Sequence, residues 1–255
     1  MITDVSYEGK KILLVEDDAI IALSEMQELE SFGFTPFYAN SGETAIKATE
    51  DKNGDFDLIL MDIDLGRNKI NGAETAKLIL KKYDIPIVFV SSHTEKEIIE
   101  ETEKITAYGY IYKNNAKTLK LASIKMALKL SESTMKIKQS EEKFMTAFML
   151  NPAAMSINDI ETHQIVDCNL AFQKITGYTK EETIGKTAME LKFFEDMEES
   201  SRMLKEIAEK GELTNFRHIF KNRRGESYLT YLSTKKIWIS NKQYHMVCQT
   251  EFEAL

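Results

Sequence analysis

The chain has 255 residues, 43% hydrophobic and 29% charged, which suits one large or two ordinary globular domains. A formal net charge of -8 and an isoelectric point of about 5.3 argue against a nucleic-acid grip through a basic surface. No apolar run approaches the roughly 20 residues of a membrane span, the N-terminal MITDVSYEGKK lacks a signal-peptide core, and Cys168 and Cys248 form no disulfide or metal framework, so a cytoplasmic, reduced protein is expected.

Residues 11–130 alternate between strand and helix patterns. Strand signals fall at Lys11–Val15, 34–39, 57–62, 87–90 and 108–112. Helical patterns fill the intervals near 18–31, 42–51, 72–82, 94–105 and 116–130. Asn71 with Glu74 and Thr94 with Glu97 read as capping boxes, and Gly33 suits a helix exit. The runs ILLV (Ile12–Val15) and LILM (Leu58–Met61) are continuously apolar, as in strands buried on both faces. Five strand–helix alternations with short loops predict a doubly wound, five-stranded parallel sheet.

In such a sheet all carboxyl strand ends lie on one edge, where open α/β sheets carry their chemistry. The first strand ends in Glu16 and Asp17, the third in Asp62, the fourth in Ser91 and the fifth in Lys113. Two buried strands ending in acid imply a shared pocket that repels itself unless a hard cation is bound. A carboxylate is a competent nucleophile toward phosphorus, and a cation, a lysine and a hydroxyl neutralise the transferring group.

This set of five separated positions resembles the receiver domain of two-component response regulators, with its flavodoxin-like fold. The resemblance implies that Asp62 is the phosphoacceptor and that Mg²⁺ is held by Glu16, Asp17, Asp62 and the backbone carbonyl of Asp64. It also implies that Ser91 and Lys113 hold phosphoryl oxygens and that Tyr110 is the aromatic switch residue. Two positions depart from the family. Asn114 stands where proline usually follows the lysine, which predicts a trans bond and a changed loop. Ser91 replaces the commoner threonine. His93 reads as a surface residue at a helix start.

The helical pattern after 116 runs on without proline or glycine to Asn151-Pro152. Met126, Leu130, Ile137 and Phe144 recur at helical spacing with Ser133 and Ser140 between them. This thin seam fits an amphipathic connector packed on its own domains, or a parallel dimeric signalling helix.

Residues 152–250 have another texture: two short strands (AAMSINDI, HQIVDCN), helices, then three strands (NFRHIFK, ESYLTYLSTKKIW, QYHMVCQT). Asn169 caps a short helix ending at Gly177, Thr179 and Glu182 form a capping box, and a longer helix near 196–210 closes at Gly211. The order predicts an α+β domain with an antiparallel sheet. With the phrase from Asn169 to Gly185, it resembles a PAS sensor domain, which implies a cupped sheet around a small apolar cavity. His218 alternates with Phe216 and Phe220 and reads as a core histidine. Trp238, Met246 and Cys248 read as packing, and Arg223 and Arg224 as a solvated turn.

The expected layout is a receiver at 8–130, a helical connector at 131–150 and a PAS domain at 151–255. The expected function is phosphorelay signalling: a histidine kinase or histidine phosphotransfer protein donates phosphate to Asp62 with Mg²⁺, and the PAS domain senses or relays. The receiver would carry out its own aspartyl phosphorylation and dephosphorylation, with no separate catalytic domain. A homodimer through the connector or the PAS domain is the further partner expected. The alternative is the N-terminal regulatory part of a larger sensor histidine kinase.

Overall fold

The computed structural model describes residues 7–66, 70–92, 105, 108–113, 115–194 and 196–255. The helix expected at 94–105, His93 and the Asn114 loop lie outside these residues. The chain divides into two compact units, residues 1–138 and 139–255.

The first unit is a five-stranded parallel sheet of β1 (Lys11–Val15), β2 (Thr35–Ala39), β3 (Leu58–Asp62), β4 (Ile87–Ser91) and β5 (Tyr110–Tyr112). The spatial order is β2-β1-β3-β4-β5. Around it lie α1 (Ala19–Ser31), α2 (Gly42–Asp51), α3 (Gly72–Leu80) and the start of α4 (Lys117–Leu150). Successive strand residues face opposite sides of a sheet, so a strand covered on both faces must be apolar throughout. Ile12, Leu14, Leu58, Leu60, Val88 and Val90 pack with Ala22 and Leu29 of α1 and Ile124 and Leu128 of α4. Their alternates Leu13, Val15, Ile59, Met61, Ile87 and Phe89 pack with Ala45 of α2 and Ala76 and Ile79 of α3.

Local chemistry sets the helix ends. Asp18 accepts from the amides of Ile20 and Ile21 as the cap of α1, so it closes a helix rather than joining Glu16 and Asp17. Asn71 and Glu74 form the expected capping box at α3. Gly72 allows a close approach there: a Cβ would overlap the carbonyl oxygen of Asp62. Buried Lys120 of α4 is 3.0 Å from Glu25 and 3.5 Å from Glu28 of α1, tying those helices together.

The second unit is an antiparallel sheet of β6 (Ala154–Asp159), β7 (Ile165–Cys168), β8 (Glu212–Lys221), β9 (Ser227–Ile239) and β10 (Lys242–Ala254). Its order is β7-β6-β10-β9-β8. Helices α5 (Leu170–Thr176), α6 (Lys180–Thr183) and α7 (Met197–Lys210) fall between β7 and β8. Asn169 caps α5 and Gly177 ends it in the left-handed region; Thr179 and Glu182 form the capping box of α6. Ser240 and Asn241, both at positive φ, make the two-residue turn between β9 and β10.

Two expectations fail here. Trp238 is 68% exposed near the tip of the β9–β10 hairpin, not packed, because the strands outrun the helices that cover the sheet. Arg223 is not merely solvated. Its guanidinium lies over the Tyr178 ring, 5.0 Å from Cζ to the centroid, and Nη1 donates to both carboxylate oxygens of Glu182 at 2.8 Å.

Candidate functional site

The sheet brings the predicted acids together. Parallel pairing sets Val15 beside Met61, Asp62 beside Val90 and Ser91 beside Tyr112, so β1, β3, β4 and β5 end on a common edge. The strand order reverses between β1 and β3, which makes that edge the switch-point crevice. Glu16, Asp17 and Asp62 each offer a carboxylate oxygen, all within 4.8 Å of one another. Glu16 and Asp62 are buried; Asp17 is exposed at the mouth.

Lys113, beyond β5, spans the pocket. Its Nζ donates to Glu16 Oε2 at 2.6 Å and to Asp62 Oδ2 at 2.7 Å. The other Asp62 oxygen accepts from the backbone amide of Asp64 at 3.2 Å. Burial pushes the Asp62 and Glu16 carboxyls above their ordinary range, against the pull of Lys113. Burial disfavours the Lys113 ammonium, but its hydrogen bonds to Asp62 and Glu16 together hold it above its ordinary range.

These residues fit a hard dication. Three convergent carboxylates against one lysine leave a surplus of negative charge, and Mg²⁺ binds through one or two carboxylates while keeping several waters. Gly66, at positive φ, passes beside Asp17, where a Cβ would lie 3.1 Å from Oδ2. Neither Gly66 nor Gly72 stood out in the sequence, because their role is a close approach between segments. Ser91 is fully buried at the end of β4, and the amide of Lys113 donates to its carbonyl at 2.9 Å. Tyr110 is half-buried at the start of β5, opposite Phe89.

The second unit holds a cavity of about 430 Å³ between the inner sheet face and α5 and α7. Phe172, Phe193, Met203, Leu204 and Ile207 supply apolar wall. The sheet contributes Asn158, Lys236, His245, Thr234 and Gln249, and α7 contributes Ser200. Burial, with Lys236 and His163 nearby, holds the His245 imidazole below its ordinary range. His218 does not line this cavity. It is buried against Phe194, its Nε2 lies 3.0 Å from Gln249 Nε2, and burial lowers its pKa to about 4. Burial raises the Cys168 thiol to about 11, which leaves it inert. His245, Ser200 and Thr234 were missed from sequence; their one signal was the alternation of His245, Val247 and Gln249 along one strand face.

The two modules are those of a two-component signalling protein. Residues 12–125 match the response regulator receiver domain family and residues 152–250 a PAS domain family: the chain carries a receiver domain followed by a PAS domain. It is 27% identical over 112 residues to the sensor kinase CckA of Brucella abortus (strain 2308), a match covering 44% of this chain and 12% of that protein. It is 23% identical over 105 residues to the two-component response regulator ARR10 of Arabidopsis thaliana, covering 41% of this chain and 19% of that one. The chain thus spans less than a quarter of either relative. Among solved structures, the N-terminal domain of a response regulator/sensory box/GGDEF three-domain protein from Carboxydothermus hydrogenoformans is 36% identical, covers 49% of this chain and 99% of its own, and superposes with a TM-score of 0.46. Receiver domains generally bind Mg²⁺ and interact with histidine kinases or phosphotransfer proteins. Among the described residues no helix is long and apolar enough to cross a membrane.

Proposed function

We propose that Asp62 accepts a phosphoryl group from a histidine kinase or histidine phosphotransfer protein in the cytoplasm, and that the PAS cavity binds a small molecule that biases this response. The observation that carries the reading is Lys113 bridging Glu16 and Asp62 at the carboxyl edge of the sheet. A side-chain oxygen of Asp62 attacks phosphorus, a P–O bond forms, and the P–N bond to the donor histidine breaks. Lys113 then exchanges a carboxylate partner for a phosphoryl oxygen, and the Ser91 hydroxyl donates to another. Glu16, Asp17, Asp62 and the carbonyl of Asp64 would hold Mg²⁺, which supplies charge neutralisation at the transferring group. Tyr110 follows Ser91 as the switch residue, so a local charge event biases a bistable element. Exposed Ile20 and Leu23, in the first turns of α1 directly after the acids that end β1, supply an apolar surface for the donor.

The test is incubation with acetyl phosphate and Mg²⁺, followed by intact mass and site mapping. The parent should gain one phosphoryl group on Asp62, and Asp62→Asn should gain none. Full labelling of Asp62→Asn would refute the assignment.

The similarity to a sensor kinase favours a second reading, in which these domains regulate a larger histidine kinase. Transfer of label from ATP to the protein produced from the natural reading frame distinguishes the two.

A further inference from the structure

Resting on the reading that the PAS cavity takes a small molecule, we infer that its ligand is an organic monoanion: a carboxylate head on an apolar body. The polar pole is assembled by strand register. Pairing across β6, β10 and β9 sets Asn158, His245 and Lys236 in one row. The adjacent row holds Ser156, Val247 and Thr234. Ser200 reaches the same space from α7.

Three of these side chains are more than nine-tenths buried, with Ser200 at 1%, Thr234 at 3% and His245 at 8% exposure. Ser200 Oγ, Thr234 Oγ1 and His245 Nε2 have no hydrogen-bond partner. Buried polar atoms are almost always satisfied, and among the described residues these three of the five unpartnered side-chain atoms line one cavity, the others being Glu28 Oε1 and His218 Nδ1. Each can donate to an acceptor oxygen.

The sign of the head follows from the charges. Among the described residues, the cavity lining contains Lys236, His163 and His245 and no aspartate or glutamate. The neighbouring acid, Asp159, is engaged by Lys242 and by the amides of Glu161 and Thr162. A cationic head would meet Lys236 with no counter-charge among the described lining residues, whereas a carboxylate gains a charge-assisted partner there that a neutral alcohol does not. One lysine suits a single negative charge. The remaining wall is apolar, and about 430 Å³ holds roughly 14 groups at ~30 Å³ each, the share of a water molecule in the liquid.

The experiment titrates the full chain, labelled with ¹³C-methyl methionine, with decanoate, decanol and decylamine below their aggregation limits. Met189 and Met203 line the cavity and report on it; exposed Met126 on α4 is the control. Decanoate is expected to shift Met189 and Met203 and to bind about tenfold or more tighter than decanol, with decylamine weakest, as hydrogen bonds to a charged group allow. Lys236→Met, at an exposed position, and Thr234→Val should each weaken decanoate by about tenfold while leaving decanol within about threefold. If decanol or decylamine shifts the cavity methionines at equal or lower concentration than decanoate, the anionic class is wrong and the cavity-ligand reading stands. If no compound shifts them, or only Met126 responds, both fall.

Discussion

Asp62, the proposed phosphoacceptor, is placed at a cost to the fold. Burial raises its pKa and that of Glu16 more than Lys113 lowers them. A folded-state pKa above the unfolded value means the native state holds the proton more tightly. That contribution is fully present below the ordinary carboxylate range and is lost as pH rises through the raised values. At neutral pH the charged pocket is therefore a weakness without a cation. Asp62→Asn removes one of these charges and leaves Lys113 paired with Glu16. It is expected to stabilise the Mg²⁺-free protein by about 1 kcal/mol, with a larger gain at pH 8 than at pH 5. Urea unfolding at both pH values measures this, and a loss of stability at pH 8 would show that the Lys113 pairing outweighs burial. Mg²⁺ should reverse the ranking by binding the native parent, adding about 2.7 kcal/mol at a hundred times its dissociation constant. Asp17→Ala removes an anionic ligand from the mouth of the pocket, so its melting temperature should respond far less to Mg²⁺. An unchanged response would mean that Asp17 holds no metal.

At the scale of elements, Asn169 does more than its place before α5 suggested. Its Oδ1 accepts from the amides of Met155 and Phe172, and its Nδ2 donates to the carbonyls of Phe148, Asn151 and Ala153. One fully buried amide thus joins the end of α4, the start of β6 and the cap of α5. Asn169→Ala orphans several buried backbone groups and should cost about 3 kcal/mol. Hydrogen exchange should show the loss within residues 139–255, while acetyl-phosphate labelling of Asp62 persists. A loss spread equally over both units would contradict this local role. The cap was legible because an asparagine three residues before a helical amide is a local signal; its other bonds span 14 to 21 residues and are not. The same distinction separates the two sites. Glu16, Asp17, Asp62, Ser91 and Lys113 could be collected from sequence because each ends a strand, and parallel strands share an edge. Ser200, Thr234 and His245 meet only through the register of β6, β10 and β9 and the placement of α7. Trp238 was misread because an aromatic in a strand suggests packing, whereas this strand runs past its cover.

For the whole molecule, the question is what α4 does with its uncovered face. Ile124, Ala127 and Leu128 are buried in the first core, while Leu119, Met126, Leu130, Ile137 and Phe144 are exposed. These exposed residues follow a heptad with Leu130, Ile137 and Phe144 at a, and Leu119, Met126, Ser133, Ser140 and Ala147 at d. Ser133 Oγ donates to the Lys129 carbonyl within the helix, so it can enter a seam without an unsatisfied hydroxyl. The flanking g positions are Lys129, Lys136 and Lys143, and Glu141 is at e. A parallel pair sets Lys136 against Glu141 of the second copy, whereas an antiparallel pair sets lysines against lysines. The serines make the seam weak, so a modest change at the receiver can move the equilibrium. Phosphorylation of Asp62 is therefore expected to shift dimer affinity by about tenfold, within the usual 1–3 kcal/mol of coupling. Ile137→Glu should abolish the dimer by burying a charge at the seam. Two residues inserted after Ser133 rotate the following helix by about 200° and should remove the response to phosphate. Sedimentation of each variant, with and without acetyl phosphate and Mg²⁺, is the measurement. A parent that stays monomeric at every concentration and in both states would leave α4 as a tether between two independent domains.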